Sequence, residues 1–497
     1  MVTHSITGLS KVRRERLAVE RPANFTGMRA RLLGCMLICA AGALTPVNAA
    51  KALSCPAPEP LDRVSSTPPS DFCSPIAVTQ EADFYALSWQ LFKFLVWPAK
   101  PGSRGVPDDA RKIFDMEGPR VFETYKADWE VFRPNADDPD DWSAHPSSPC
   151  SNDQDIKPGA LVLARRSKFE NLSVGSSFVL IAQNGTYVRY QVSYNEELFG
   201  SIRRNKLYDP RESRDLKLVP PGKAINPKAT APDGAIVLKS AWIELPENVS
   251  PPPAGSPRYY VQDNAWVQIP GARECRRTSV GLVGLHIVYK TKDRPQWIWS
   301  SFEHVANVPE DGDQPGMRYT FNNGSNTPMQ PPGDDYRVSR QIRGQVPPPY
   351  QVERGQKIAA DAVSMNLDWQ AKFKEQNDSV WQNYKLVTTQ WLQPRRAPDE
   401  DIVGHTILPL CGGDQTPATA NTTMETFQQV CTRETMDKVT CLGCHNGARA
   451  TDHIFSIRLN ARAPAGFDAR SGREEIVKKV EDILNQIKLP PSRSTRP

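Results

Sequence analysis

The 497-residue sequence predicts an α+β multidomain chain: a mainly β centre built as a sandwich or distorted barrel, flanking helices, and a small helical C-terminal region. Three observations carry this. Residues 159–345 hold several runs rich in β-branched and aromatic residues, separated by turn residues. Proline is frequent, 45 in all, and clusters in loops such as Pro251-Pro252-Pro253 and Pro347-Pro348-Pro349. On either side of the centre, apolar residues recur at three- and four-residue spacing.

Residues 1–50 read as an export leader. Arg29 and Arg31 form a positive n-region, Leu32 to Val47 an apolar h-region, and Val47-Asn48-Ala49 a small-residue cleavage site. Met28 directly precedes this segment and is a possible true start. The apolar run is too short for a spanning helix, so the mature chain is expected to have no transmembrane segment. Arg13-Arg14 lies too far upstream for a twin-arginine signal, and Cys35 stands before the apolar run where a lipidation site would close it. The leader's seven Lys/Arg and two Asp/Glu account for the whole net charge of +5. The mature chain is therefore near neutral, which leaves a basic nucleic-acid stripe without support. Its length of roughly 450 residues predicts two or three domains.

Residues 51–158 are expected to be helical and irregular, packed on the region that follows. Gln80 to Trp97 reads as a buried helix ended by Pro98, and Val121 to Phe132 as a second, its aromatics serving as core. Asp137 to Asp141 reads as a solvated loop. In the β-rich domain 159–345, Phe178–Gln183 and Thr186–Tyr194 flank Asn184-Gly185, the pair that a tight hairpin turn needs. Ala235–Leu245, Arg258–Ile269, Val280–Lys290 and Gln296–Val305 are further strands. The partial alternation of Leu282–Tyr289 predicts burial on both faces. A helical connector spans 346–410, with helices over Met365–Phe373 and Val380–Trp391. In 411–497, a helix is expected over Thr423–Val430, capped by Asn421 or Thr422, and an amphipathic one over Arg473–Ile487.

Cys35 and Cys39 leave with the leader; eight cysteines remain. Cys441-Leu442-Gly443-Cys444-His445 is the pattern of c-type haem attachment. Two sulfurs on one helical turn can form thioethers to two vinyl groups of one porphyrin, and the following imidazole becomes the proximal iron ligand. One motif implies one covalent haem c. The competing readings are a zinc knuckle completed by Cys411 and Cys431, or a redox dithiol. Export argues against both, and neither gives His445 a role. The other six cysteines are an even number suited to disulfides in an oxidising compartment. Cys55–Cys73 and Cys411–Cys431 are expected as local bridges because each closes a short loop.

No methionine follows the motif; Met436 is the last. Met424 is the preferred sixth ligand, with His453, and His286 or His304 from the β region, as the other options, or an open position. A second dense stretch, Gln296 to Asn307, contains Glu303-His304. This pair, with His286, is the candidate for acid–base work, set against a packed strand end. The sequence contains no Gly-rich phosphate loop, nucleophile elbow or two-histidine helical metal motif.

Cys441–His445 resembles the c-type cytochromes in general. More narrowly, Ser88–Trp97, Gly281–Thr291, Pro295–Pro309 and Asn421–Thr426 with Cys441–His445 resemble an uncharacterised group of exported bacterial cytochrome c family proteins, which have one such motif and a large N-terminal non-haem region. The resemblance spans most of the mature chain and implies a periplasmic or secreted protein that binds haem through Cys441, Cys444 and His445. The absent downstream methionine departs from the general pattern. The expected function is electron transfer to or from a periplasmic redox partner. The alternative is a haem-dependent oxidoreductase with a substrate site in the β-rich region; a haem-based sensor or binding protein ranks below it.

Overall fold

The computed structural model describes residues 60–69, 81–133, 136–166, 178–213, 227–246, 257–310, 313, 318–325, 327, 332–393, 406–408, 420–429 and 440–460. The leader, Cys55–Cys73, Cys411–Cys431 and the Arg473–Ile487 helix lie outside these residues. Leu53–Pro497 forms one compact unit.

Its centre is a sheet of nine strands: β1 Lys126–Ala127, β2 Val162–Leu163, β3 Val188–Tyr194, β4 Ile236–Leu245, β5 Val261–Gln268, β6 Cys275–Thr291, β7 Arg294–His304, β8 Tyr384–Gln393 and β9 Thr406–Leu408. The order is β1-β3-β4-β6-β7-β8-β9, with β5 paired to β2 and to the start of β6. All pairs are antiparallel except β2–β5. The α+β, mainly β expectation holds, but among the described residues the strands form one sheet rather than a sandwich's two.

Both faces of this sheet are covered. β6, β7 and β8 are therefore buried along almost their whole length, β7 at every residue. On one face, α1 (Glu81–Val96) and α5 (Ala360–Glu375) pack over Leu238, Leu285, Ile298, Phe302 and Leu386. Phe84 stacks on Trp391 with ring centroids 3.6 Å apart, and Trp89 on Trp369 at 5.6 Å. The Ser88 hydroxyl meets those of Ser300 and Thr389, each at 2.7 Å, joining α1 to β7 and β8 where no aromatic fits. The opposite face is covered at one end by α3 (Glu196–Arg204) together with Leu442, Ile454 and Ile457, and at the other by Val308, Phe321, Tyr350, Val352 and Met424.

Four local expectations are corrected. Val121–Phe132 is not one helix but a 3-10 turn, the extended β1 and a single turn, α2 (Asp128–Val131). Its aromatics are core, as expected, but of different clusters: Phe122 and Tyr125 pack beneath α1, Phe132 with Tyr194, and Trp129 against the Cys150–Cys275 cluster. Val380–Trp391 is a 3-10 turn, Val380–Asn383, followed by β8; a strand buried on both sides shows no period-two pattern, and Val387-Thr388-Thr389 is β-branched. Thr423–Val430 forms isolated turns over its described residues. The Asn184-Gly185 hairpin is present, but with a three-residue loop: Gly185 N donates to Ala182 O, Ala182 N to Thr186 O, and Gly185 has φ 78°. Its first arm pairs only at isolated bridges.

Candidate haem attachment site

The motif forms one short helix, α6 (Cys441–His445), followed by a 3-10 segment, Asn446–Thr451, and α7 (Phe455–Asn460). Thr440 is its N-cap: the side-chain oxygen accepts from Gly443 N at 3.1 Å. Cys441 N donates to Gln390 Oε1 of β8 at 2.8 Å, so the first cysteine is tied to the sheet. Leu442 is fully buried in a cluster with Val288, Trp297, Trp299 and Leu392, whereas Cys441 and Cys444 are half-buried.

His445 is held on three sides. Its Nδ1 lies 2.7 Å from the carbonyl oxygen of His453. A carbonyl only accepts, so Nδ1 carries the proton and Nε2 keeps its lone pair, the protonation pattern of a metal-ligating imidazole. The ring centroid is 4.5 Å from that of Trp299 and 5.1 Å from that of Phe455. Gly447 permits this closeness, since a Cβ there would stand 3.3 Å from Phe455 Cζ.

The acceptor carbonyl belongs to an unusual turn. Asp452 (φ 51°) and His453 (φ 65°) are consecutive left-handed residues, and neither is glycine. Asp452, fully buried, accepts from Ala231 N at 2.9 Å and from Lys290 Nζ of β6. Its backbone oxygen accepts from Trp297 Nε1 at 3.0 Å. Trp297 is itself left-handed (φ 70°) within β7, and Lys290 Nζ lies 5.5 Å from its ring centroid. Three residues in the left-handed region thus meet behind His445, a local concentration of backbone strain. The His453 ring is buried against the His445 backbone, neither nitrogen makes a hydrogen bond of ordinary geometry, and burial pushes its pKa down to about 4.

The other candidates are placed apart. Met424 is buried in the cluster of Tyr190, Ala241 and Val283, and its methyl carbon lies where a Cβ on Gly284 would be 3.4 Å away. Gly284 pairs with Glu303 and Val288 with Trp299. Met424 therefore sits four residues along the strand from the His445 contact, about 13 Å. The structure does not bring the two together. His286 shares the sheet face of Trp299 and Glu303, and its Nε2 lies 3.3 Å from Glu425 Oε2.

Glu303 is fully buried. Burial alone would raise its carboxyl, but Arg354 and Lys385, with the Thr422 N–H at 3.0 Å and hydroxyl at 2.8 Å, hold it below the ordinary range. His304 is also buried. Its Nδ1 accepts from Ala306 N at 3.2 Å, its Nε2 donates to Arg258 O at 3.1 Å, and burial lowers its pKa to about 3.

Sequence reasoning missed Gln390, Lys290, Ala231 and Asp452. A lysine inside an otherwise apolar strand was the available signal for Lys290; the rest are brought in by tertiary packing. It also left open the Cys150–Cys275 disulfide, which joins chain segments 125 residues apart beside a cavity of about 930 Å³. Trp129, Arg133, Arg165, Tyr190 and Arg273 are among the residues lining that cavity; none of His286, Glu303 and His304 does.

No family model, curated protein or solved structure matches the chain. The donor set itself fits a covalently held haem: two thiols on one turn, and an imidazole whose Nδ1 is already committed. Among the described residues, no helix is long and apolar enough to cross a membrane.

Proposed function

We propose that the protein is an exported monohaem c-type cytochrome, whose residues 411–497 form the cytochrome c-like part and whose role is electron transfer with a redox partner in the periplasm or outside the cell. Cys441 and Cys444 would hold the haem through thioethers, and His445 Nε2 would be the proximal ligand. When bound, haem c supplies a one-electron ferric/ferrous couple. The chain's own part is to orient and enclose. The His453 carbonyl fixes the His445 tautomer, Trp299 and Phe455 set the ring plane, and Leu442, Ile454 and Ile457 keep water from the proximal side. The observation that carries the reading is the His445–His453 hydrogen bond, which neither a zinc knuckle nor a redox dithiol requires.

A haem-dependent oxidoreductase is the second reading, favoured by the cavity beside Cys150–Cys275. The test is the visible spectrum of the exported, reduced protein with and without carbon monoxide, after denaturing electrophoresis has established covalent retention. Retained haem with a low-spin spectrum indifferent to the gas supports electron transfer. A spectrum shifted by the gas moves the oxidoreductase ahead. Absence of retained haem removes both and returns zinc or a dithiol.

A further inference from the structure

We infer that the β sheet is the proximal scaffold of the haem, and that Lys290, Asp452 and Trp297 are positioning residues that set the electron donation of His445. The inference rests on the haem c reading of the site.

His445 Nδ1 donates to a carbonyl carried by a left-handed pair, Asp452-His453. Such a pair is costly for non-glycine residues, so something must hold it. Local backbone bonds hold part of it, Asp452 N to Arg449 O and His453 N to Ala448 O, and three contacts come from outside the motif segment: Lys290 Nζ and Ala231 N on the Asp452 carboxylate, and Trp297 Nε1 on the Asp452 carbonyl. Lys290 and Asp452 side chains are 2% and 0% exposed, so the pair is undiluted by solvent. Lys290 lies next to the end of β6 and Trp297 three residues into β7, so the β6–β7 hairpin reaches the proximal ligand through one turn.

The consequence is electronic as well as structural. A proximal imidazole whose N–H is firmly accepted by an oxygen donates more charge to its metal. Loosening the turn weakens that acceptor, makes the imidazole a poorer donor and favours the reduced iron. The large sheet thus has a task within electron transfer, and no separate substrate is needed to explain its size.

The test compares two double variants of the full-length, exported protein. Lys290→Met with Asp452→Asn removes the ion pair without leaving a lone buried charge, and asparagine tolerates the left-handed conformation. Arg189→Met with Glu244→Gln removes an equally buried pair between β3 and β4, with side chains 1% and 2% exposed. The readouts are the reduction potential and the hyperfine-shifted proton resonance of His445 Nδ1–H. We expect a raised potential and faster solvent exchange of that proton in the first variant, and parental values in the second. Trp297→Phe, which deletes the indole donor to Asp452 O while keeping an aromatic ring in the core, should move both readouts in the same direction by less. It carries the test alone if the first double variant does not fold. Parental potential and exchange in a haem-loaded Lys290/Asp452 or Trp297 variant would overturn the inference. Equal shifts in the two double variants would do so too, by showing a general response to lost packing. A parent protein without haem would instead remove the underlying reading, and is detected before any variant is made.

Discussion

Glu303 and His304 are neighbours in β7 whose side chains leave the sheet on opposite faces. Glu303 reaches Thr422, Arg354 and Lys385; His304 lies between Tyr259 and Tyr384, with ring centroids at 4.4 and 5.3 Å. What reads in sequence as an acid–base couple is two separate tethers. The first fixes the Asn421–Thr426 segment to the sheet, and the second fixes the backbone at Arg258 and Ala306.

Glu303→Gln should therefore destabilise without touching the Cys441–His445 turn. The substitution removes one of the two carboxylates that face Arg354 and Lys385; Glu310 still pairs with both, so the cost is that of the lost charge-assisted hydrogen bonds, roughly 1.5–3 kcal/mol. Because the folded carboxyl is held below its ordinary value, its stabilising contribution is complete above about pH 4.5. It is lost as pH falls through the folded pKa. Chemical denaturation from pH 7 downward should show this acid-side loss in the parent and a flatter profile in the variant. An unchanged midpoint at pH 7 would show the tether to be energetically idle.

His304 gives a second pH window. Its folded pKa of about 3 lies below the ordinary 6.5, so the unfolded chain takes up a proton that the folded one refuses. Stability is then full above pH 6.5 and declines as pH falls from there towards 3, with a slope of up to about 1.4 kcal/mol per pH unit from this residue. His304→Gln should remove that slope while lowering overall stability. A variant that keeps the full slope would place its source elsewhere, His453 and His145 being the other histidines whose pKa burial lowers.

The elements that sequence located well are those whose neighbours are local or whose pattern survives burial. Gln80–Trp97 became α1, and Ala235–Leu245, Arg258–Ile269, Val280–Lys290 and Gln296–Val305 became β4 to β7. The motif itself formed the expected helical turn. Val380–Trp391 was misread because a strand sandwiched between α1 and the opposite face loses its alternation, leaving spacings that mimic a helix. The site was half legible for a related reason. Cys441, Cys444 and His445 are consecutive chemistry, whereas Gln390, Lys290 and Trp297 reach it only through pairing of strands.

Met424 offers a sharper comparison, because core filler and iron ligand predict different things for one substitution. As packed here among Tyr190, Ala241 and Val283, it should tolerate Met424→Leu, a nearly volume-conserving change costing under about 1.5 kcal/mol. The visible spectrum should persist. Loss of a sulfur-to-iron charge-transfer band from the ferric protein would instead make Met424 the sixth ligand. The neighbouring Gly284→Ala should be the more damaging change, roughly 1–3 kcal/mol, since its methyl would meet the Thr423 hydroxyl directly.

The two cysteines should not be equivalent in the assembly of the site. Cys441 is anchored by its N–H to Gln390 on β8, while Cys444 N bonds within the turn, to Thr440 O at 2.9 Å. On the haem c proposal a serine at either position would remove one thioether and leave His445 in place, so each single variant should keep haem through the remaining bond. The double variant Cys441→Ser with Cys444→Ser should lose covalent haem altogether on denaturing electrophoresis while keeping the native fold. That fold depends on Leu442, Thr440 and the sheet rather than on the sulfurs. Gln390→Leu removes the anchor without touching either thiol. It is expected to lower the fraction of protein carrying haem after export, read as the ratio of haem absorbance to protein mass. An unaltered ratio would mean that attachment depends on the motif alone and that β8 only supports it from behind.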